Sequence, residues 1–365
     1  MSNIGRYKKT FRDGSFVGGL ITDRRYSVGG SGTTVGTDGM IRFLQNYAFA
    51  GQFVASQTSE PNAPELTEDL EDLTFGTDNQ YTAAFDGESY TGFATYLSVQ
   101  RDSRFWNFNL DYNTESPTFR ADAGFVSRNS THRLKFRNGF DIRPQSGLVD
   151  QISPYFSVGY EWNYNGIRKD EYARIGFRGR FKGQTNAGAN ILLASNERFK
   201  GIDFQGINRV NVWFNSNFSD PLKIGAEIAV GKSIARSEDV PVLGEGLDVS
   251  VWGVIRPSSR FQIRPSFDFS RLNHPDNGGS IFSGYIGRIR FNYQFTRRFF
   301  LRLVTQYSDF SKQLEIDPLL TYSVNPFTAF YFGSTHEFRE FDEAESRFTP
   351  TARQFFFKIQ YLVRT

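Results

Sequence analysis

The chain has 365 residues, among them 39 Phe, 17 Tyr and 34 Gly, with 2 Met, no Cys and a formal charge of +3. It contains no run of ~20 apolar residues, which excludes a membrane helix, and the lack of cysteine excludes a disulfide framework and a thiolate metal site. The near-balanced charge gives no nucleic-acid footprint and no charged tail.

Strand signals begin at once. Residues 4–11 turn at Arg12-Asp13-Gly14 into 15–23, and an Asp-Gly pair between alternating runs predicts a hairpin. A Gly-rich connection (24–33) leads to a strand at 35–44, a tight turn at Gln45-Asn46 and a strand at 47–58. A long acidic segment, 59–80, precedes 85–101 and the turn Asp102-Ser103-Arg104. In 105–112 the alternation is cleanest, with Trp106, Phe108, Leu110 and Tyr112 on one face and Asn107, Asn109 and Asp111 on the other. An irregular stretch, 113–129, follows. Further strands are predicted at 132–143, 152–164, 172–182, 188–194, 209–218, 222–232, 247–255 and 261–271. Next comes a hairpin around Arg297-Arg298, in which Arg288, Arg290, Asn292 and Gln294 alternate with Ile289, Phe291, Tyr293 and Phe295. After 310–318 come 319–324, 329–335, an acidic loop (336–349) and a last strand at 355–363.

Connections alternate between short and long. Outer-membrane barrels have short periplasmic turns and longer outer loops, whereas a soluble sandwich or propeller has no reason to keep that order. The expected fold is therefore an all-β antiparallel transmembrane β-barrel of about 18–20 strands, forming one domain over 1–365. Counting gives about nineteen strands, while single-chain bacterial barrels have even numbers. The first residues also lack the apolar core of an export signal. Both observations predict the C-terminal part of a longer, incompletely closed barrel; a miscounted strand within 113–129 is the alternative.

The last strand places Phe355, Phe357, Ile359, Tyr361 and Val363 on one face and Phe356, Lys358, Gln360, Leu362 and Arg364 on the other. An aromatic strand near the terminus suits recognition by barrel-assembly machinery; an ordinary sandwich strand would look the same. Along Ser116-Pro117-Thr118-Phe119-Arg120-Ala121-Asp122-Ala123-Gly124-Phe125-Val126-Ser127-Arg128-Asn129 the chain resembles a family of bacterial outer-membrane barrels, the one numbered 5916 among domains of unknown function. Leu319-Leu320-Thr321-Tyr322-Ser323-Val324-Asn325-Pro326 and Phe355-Phe356-Phe357-Lys358-Ile359-Gln360-Tyr361 are similar to its last strands. The resemblance implies that essentially the whole chain corresponds to the C-terminal two-thirds of that barrel. It also implies a preceding carbohydrate-binding family 9-like sandwich, which this sequence lacks. It supplies no activity.

If the aromatic face meets lipid, the lumen receives Arg133, Lys135, Arg137, Arg174, Arg178, Arg180, Lys182, Arg264, Arg288, Arg290, Arg302 and Lys358. Fewer acids share that parity: Asp111, Glu161, Glu227, Asp248 and Asp268. A charge on the lipid face costs roughly 2–4 kcal/mol near the midplane, so these residues are expected to face inward. Rings of Arg and Lys favour anions, with Arg174-x-x-x-Arg178-x-Arg180 and Arg288-x-Arg290 the densest patches. The plainer expectation is a structural interior in which the cations pair with carboxylates.

Two acidic stretches fall on the long-loop side, Glu65, Glu68, Asp69, Glu71 and Asp72 in one and Glu337, Glu340, Asp342, Glu343 and Glu345 in the other. Neither has recognisable calcium-ligand spacing, and a solvated face is expected. Residues 116–129 are read as an inward constriction, a partner-binding surface or the start of the next strand. The three histidines, His132, His274 and His336, show no metal spacing, no Ser has an elbow context, and Gly29-Gly30-Ser31-Gly32 lacks a phosphate loop's Lys. No enzyme, cofactor or metal is expected, a barrel-wall hydrolase being the low-ranked alternative. The expected partners are outer-membrane lipid and the assembly machinery. The function expected is channel or transport activity, or the membrane part of a surface assembly; alternatively the chain is a non-conducting scaffold whose outer loops bind polysaccharide or a protein partner.

Overall fold

The computed structural model describes every residue except Arg12, Glu71, Ser146, Asn277, Pro326, 342–347 and 362–365. Of the residues named above, Arg12, Glu71, Pro326, Asp342, Glu343, Glu345, Leu362, Val363 and Arg364 thus lie outside the described ones. The chain divides into two compact units, Met1–Ile142 with Ser153–Ile175 and Leu192–Gly206, and Arg143–Ile152 with Gly176–Ile191 and Ile207–Thr365.

In the first unit the chain forms β1 (Ser2–Thr10), β2 (Phe16–Arg25), β3 (Ser31–Phe43), β4 (Tyr47–Ser59), the small hairpin β5 (Thr74–Phe75) and β6 (Tyr81–Thr82), β7 (Ser89–Arg101), β8 (Trp106–Glu115) and β9 (Thr131–Phe140). Strands β10 (Val149–Trp162), β11 (Arg168–Phe181) and β12 (Thr185–Phe199) contribute residues to both units, and β13 (Ile202–Phe204) belongs to the first. Within it β1 to β4 pair in succession, β4 pairs with β7, and β7 to β10 continue the ladder, every described pairing being antiparallel.

The second unit contains β14 (Arg209–Ser219), β15 (Leu222–Ala235), β16 (Val242–Ser258), β17 (Phe261–Asn273), β18 (Ser280–Gln294), β19 (Phe299–Ser308), β20 (Gln313–Asn325), β21 (Thr328–Glu340) and β22 (Phe348–Tyr361). These pair in sequence order, again antiparallel. Among the described pairings β1 has only β2 and β22 only β21, and both are exposed along their whole described length.

Setting aside the two- and three-residue strands β5, β6 and β13, nineteen long strands remain among the described residues, in agreement with the sequence count. No strand lies within 116–129. The stretches 310–318 and 319–324 join in β20, with Pro318 opposite Leu303, so proline bends no turn there. Strands also run further into the long connections than alternation alone predicts. β15 reaches Ala235, β16 starts at Val242, and the expected loop 336–349 shrinks because β21 reaches Glu340 and β22 begins at Phe348. Cross-strand pairing supplies the hydrogen bonds that a polar, Gly-containing segment cannot advertise through periodicity.

Burial is inverted relative to a water-soluble sheet. In the first unit Val35 and Phe53 are 53% and 48% exposed, whereas Thr34 and Ser56, which sit opposite each other on the other face, are 5% and 4% exposed. In the second unit Val210, Val212, Ile228, Val230, Val251 and Phe267 are all exposed and occupy one parity of neighbouring strands. Each such side chain forgoes ~1.5–3 kcal/mol of burial in water. The cost vanishes in hydrocarbon.

Candidate functional site on the polar face

In the first unit, residues 116–129 lie as an irregular segment across the polar face of β3, β4 and β7. Its start is fixed by Ser116, whose N–H donates to the Phe93 carbonyl at 2.9 Å and whose hydroxyl accepts from the Phe93 N–H at 2.9 Å. Thr118 donates to the Thr91 carbonyl at 2.6 Å, and the Arg120 N–H reaches the Ser56 hydroxyl at 3.3 Å. Arg24 donates to the Asp122 carbonyl at 2.6 Å. Phe119 is buried. Two glycines make the approach feasible: a Cβ at Gly92 would strike the Phe119 backbone, and one at Gly32 the Asp122 carboxylate. Of the three readings of this segment, the start of a further strand is excluded, since 116–129 forms no strand and packs on the polar face.

A buried polar network pins it. Arg120 donates to Glu60 Oε1 at 2.6 Å and to the Tyr90 hydroxyl at 2.5 Å, and Tyr90 donates to the same Glu60 oxygen at 2.6 Å. Asp122 Oδ1 is 3.7 Å from Arg120 Nε. The Glu60 side chain is 1% exposed, and its second oxygen, Oε2, has no hydrogen-bond partner among the described residues. Burial pushes the Glu60 carboxyl above its ordinary range; Tyr90 and Arg120 draw it down, and Glu88 and Asp86 add to the rise. One carboxylate oxygen each of Glu60, Asp86 and Glu88 lies within 4.8 Å of the others.

The expected basic residues of this unit are on the polar face, where Arg133 is ion-paired and Arg137 and Arg174 lie against tyrosine rings. Arg133, Lys135 and Arg137 stand opposite Asn113, Asp111 and Asn109 on β8 and Glu161, Gly159 and Ser157 on β10. Glu161 accepts from Arg133 at 2.7 Å and from Arg128 at 2.8 Å, so the far end of the segment is held too. The Arg137 guanidinium lies 3.7 Å from the Tyr155 ring centroid, and that of Arg174 lies 5.7 Å from Tyr172.

In the second unit Arg178, Arg180 and Lys182 share the parity opposite Phe177, and Arg180 donates to Gln151 at 2.6 Å. Asp248 accepts from Arg209 and from the Ser270 hydroxyl; Asp268 accepts from Ser250 at 2.7 Å. Arg264, on β17, faces Arg290 on β18 directly, with Arg288 two residues along the same face. Arg302 faces Asn292 across β18–β19. Three acids that alternation did not single out for this face, Glu315, Asp317 and Glu337, collect on β20 and β21, Glu315 directly opposite Glu337. Lys358 stands opposite Tyr331, its ammonium 5.7 Å from that ring, while Phe355, Phe357, Ile359 and Tyr361 all lie on the apolar parity and are exposed.

The acidic stretch of Glu65, Glu68 and Asp69 forms two short 3-10 turns with no buried residue. His132 is on the apolar face, stacked against Trp162 and Tyr164 at 5.2 and 4.2 Å, with the Tyr112 hydroxyl at 2.9 Å from Nδ1. His336 Nε2 is 2.9 Å from the Ser334 hydroxyl, and Arg353 Nε donates to its Nδ1 at 3.1 Å. That arrangement places a cation where a catalytic triad needs a carboxylate.

The chain matches no family model and no curated protein. It is similar to solved structures. The siderophore receptor PirA from Acinetobacter baumannii superposes with a TM-score of 0.52 at 8% identity, over 98% of this chain and 71% of that one. A variant of the ferric enterobactin receptor PfeA from Pseudomonas aeruginosa, in complex with enterobactin, gives 0.51 at 7% identity over 92% and 66%. A second PfeA variant gives 0.52 at 7% over 97% and 69%. At these identities the likeness is one of fold, a large antiparallel all-β structure similar to outer-membrane barrel proteins.

Proposed function

We propose that this chain forms the wall of a bacterial outer-membrane β-barrel that conducts or transports small solutes through a bore lined by its polar face, with a surplus of positive charge. The inverted burial carries the reading: rows of exposed Val, Ile and Phe suit acyl chains, while the Thr, Ser and Arg of the opposite parity suit a water-filled interior. Strand length supports it as well. β16 has 17 residues and β12 and β18 have 15 each, more than the ~9–11 that cross the hydrocarbon, so their ends would stand clear of the membrane.

The fold shared with the two receptors supports transport as the broad activity, and the outward Phe355, Phe357, Ile359 and Tyr361 suit docking to barrel-assembly machinery. Membership of the barrel family numbered 5916 is part of this proposal. The second reading, a non-conducting scaffold whose outer loops bind polysaccharide or a partner protein, draws support from the segment 116–129, which occupies polar-face space.

Planar-bilayer recording under a KCl gradient separates the two. Anion-weighted current is the expected result. Cation preference would remove the basic bore, and silence at every voltage would favour the scaffold.

A further inference from the structure

Building on the reading of the polar face as a water-filled bore, we propose that Arg264, Arg288, Arg290 and Arg302 form a binding station for a multivalent oxyanion, a soluble solute bearing phosphate or carboxylate groups. Arg264 and Arg290 are directly opposed, which brings their Cβ atoms to ~5 Å, and like charges so placed destabilise a sheet. Strand pairing therefore gives no reason for the arrangement. The charges acting on Arg290 are those of Arg288, Arg302 and Arg264, all positive. Arg264, Arg288 and Arg302 are exposed, and among the described residues none of the four is in an ion pair.

Compensation was available in the same unit. Arg209 and Asp248 are paired on β14 and β16, whereas here the acids stand aside: Glu315 and Asp317 lie on β20, with β19 between them and β18. That is two strand spacings from Arg288 and Arg290, about 10 Å. The side chains between are neutral, Gln306 between Arg288 and Glu315 and Val304 between Arg290 and Asp317, and Arg264 Nε donates to Gln262 at 2.9 Å. Glu315 is within electrostatic reach of Arg288 alone among the four, which leaves positive charge in excess on this face. Four guanidinium forks at neighbouring positions match the bidentate geometry of oxyanions, and a solute with two or more such groups can engage several at once.

The test is isothermal titration of the detergent-purified full chain at low salt, with inorganic pyrophosphate and, separately, citrate. Saturable binding of at least one is expected, its affinity falling about tenfold or more in the Arg288→Gln/Arg290→Gln double variant. Arg198→Gln, which removes a cation paired with Asp203 in the first unit, should leave it unchanged. If the double variant does not fold, Arg302→Gln alone serves. Binding of neither anion, or equal binding by wild type and cluster variants, overturns the station. Bilayer recording keeps the two ideas apart: binding without current removes the channel and leaves the station, and current without binding does the reverse.

Discussion

Replacing Arg120 by Met removes the pin of the 116–129 segment and leaves Glu60 buried without its cation. Breaking one side of a buried ion pair costs ~3–5 kcal/mol, and because the Arg120 side chain is 34% exposed, solvent screening reduces this to roughly 2–3 kcal/mol. The undocked population then rises by about 30- to 150-fold. The Phe119 amide, bonded to the Ser116 carbonyl at 3.1 Å, reports it through its hydrogen-exchange protection factor. Dependence on pH sharpens the test. Burial raises the docked Glu60 pKa above its ordinary 4.5, so the docked form holds the proton more tightly than the undocked. That contribution is fully present below pH 4.5 and is lost as pH rises through the docked value. The Arg120→Met loss should accordingly be large at pH 7 and much smaller near pH 4.5, where a neutral Glu60 needs no cation. Equal loss at both pH values, or an unchanged protection factor, refutes the pinning role.

Gly92→Ala should also lift the segment, since its Cβ meets the Phe119 backbone; overpacking of this kind costs ~1–3 kcal/mol, and unchanged Phe119 exchange would contradict the packing described. Glu161→Gln strips Arg128 and Arg133 of their shared carboxylate, and cleavage by trypsin after Arg128 should accelerate, whereas an unaltered rate would mean that the pair contributes nothing to holding that end. Phe357→Arg places a cation on the apolar face at a cost of roughly 2–4 kcal/mol near the midplane, read as a lower urea midpoint in lipid vesicles, while Lys358→Gln next to it should shift the midpoint little. Similar effects at both positions would sink the assignment of faces.

Face assignment was legible residue by residue. The alternation Trp106, Phe108, Leu110, Tyr112 gave the apolar parity of β8, and the observed opposition of Tyr112 to Leu134 and Leu110 to Phe136 carries that parity onto β9. Cationic residues at Arg133, Lys135, Arg288 and Arg290 fell on the other face for the same reason. What remained hidden was which cations are neutralised. Arg209 meets Asp248 two strands away and 39 residues on, and nothing local in either stretch encodes that register. Glu315 and Asp317 lie in the predicted stretch 310–318, but the break expected at Pro318 hid its continuity with 319–324 and hence the face they share. The Glu60, Tyr90 and Arg120 network draws on residues 30 and 60 apart in the chain, two of them outside any alternating run. The path of 116–129 over the polar face depends on Gly32 and Gly92, whose missing side chains leave no periodic mark.

The tethers of that segment reach back 98 residues to Arg24, 64 to Ser56 and 60 to Glu60. Closing spans of this length is entropically expensive until the strands bearing the anchor points have zipped together, because pairing between neighbours brings those points close at little added cost. Maturation of the polar face therefore has an order built into it: hairpins first, the crosspiece last, with a slow final phase in which the Phe119 amide gains protection after the ladder is complete.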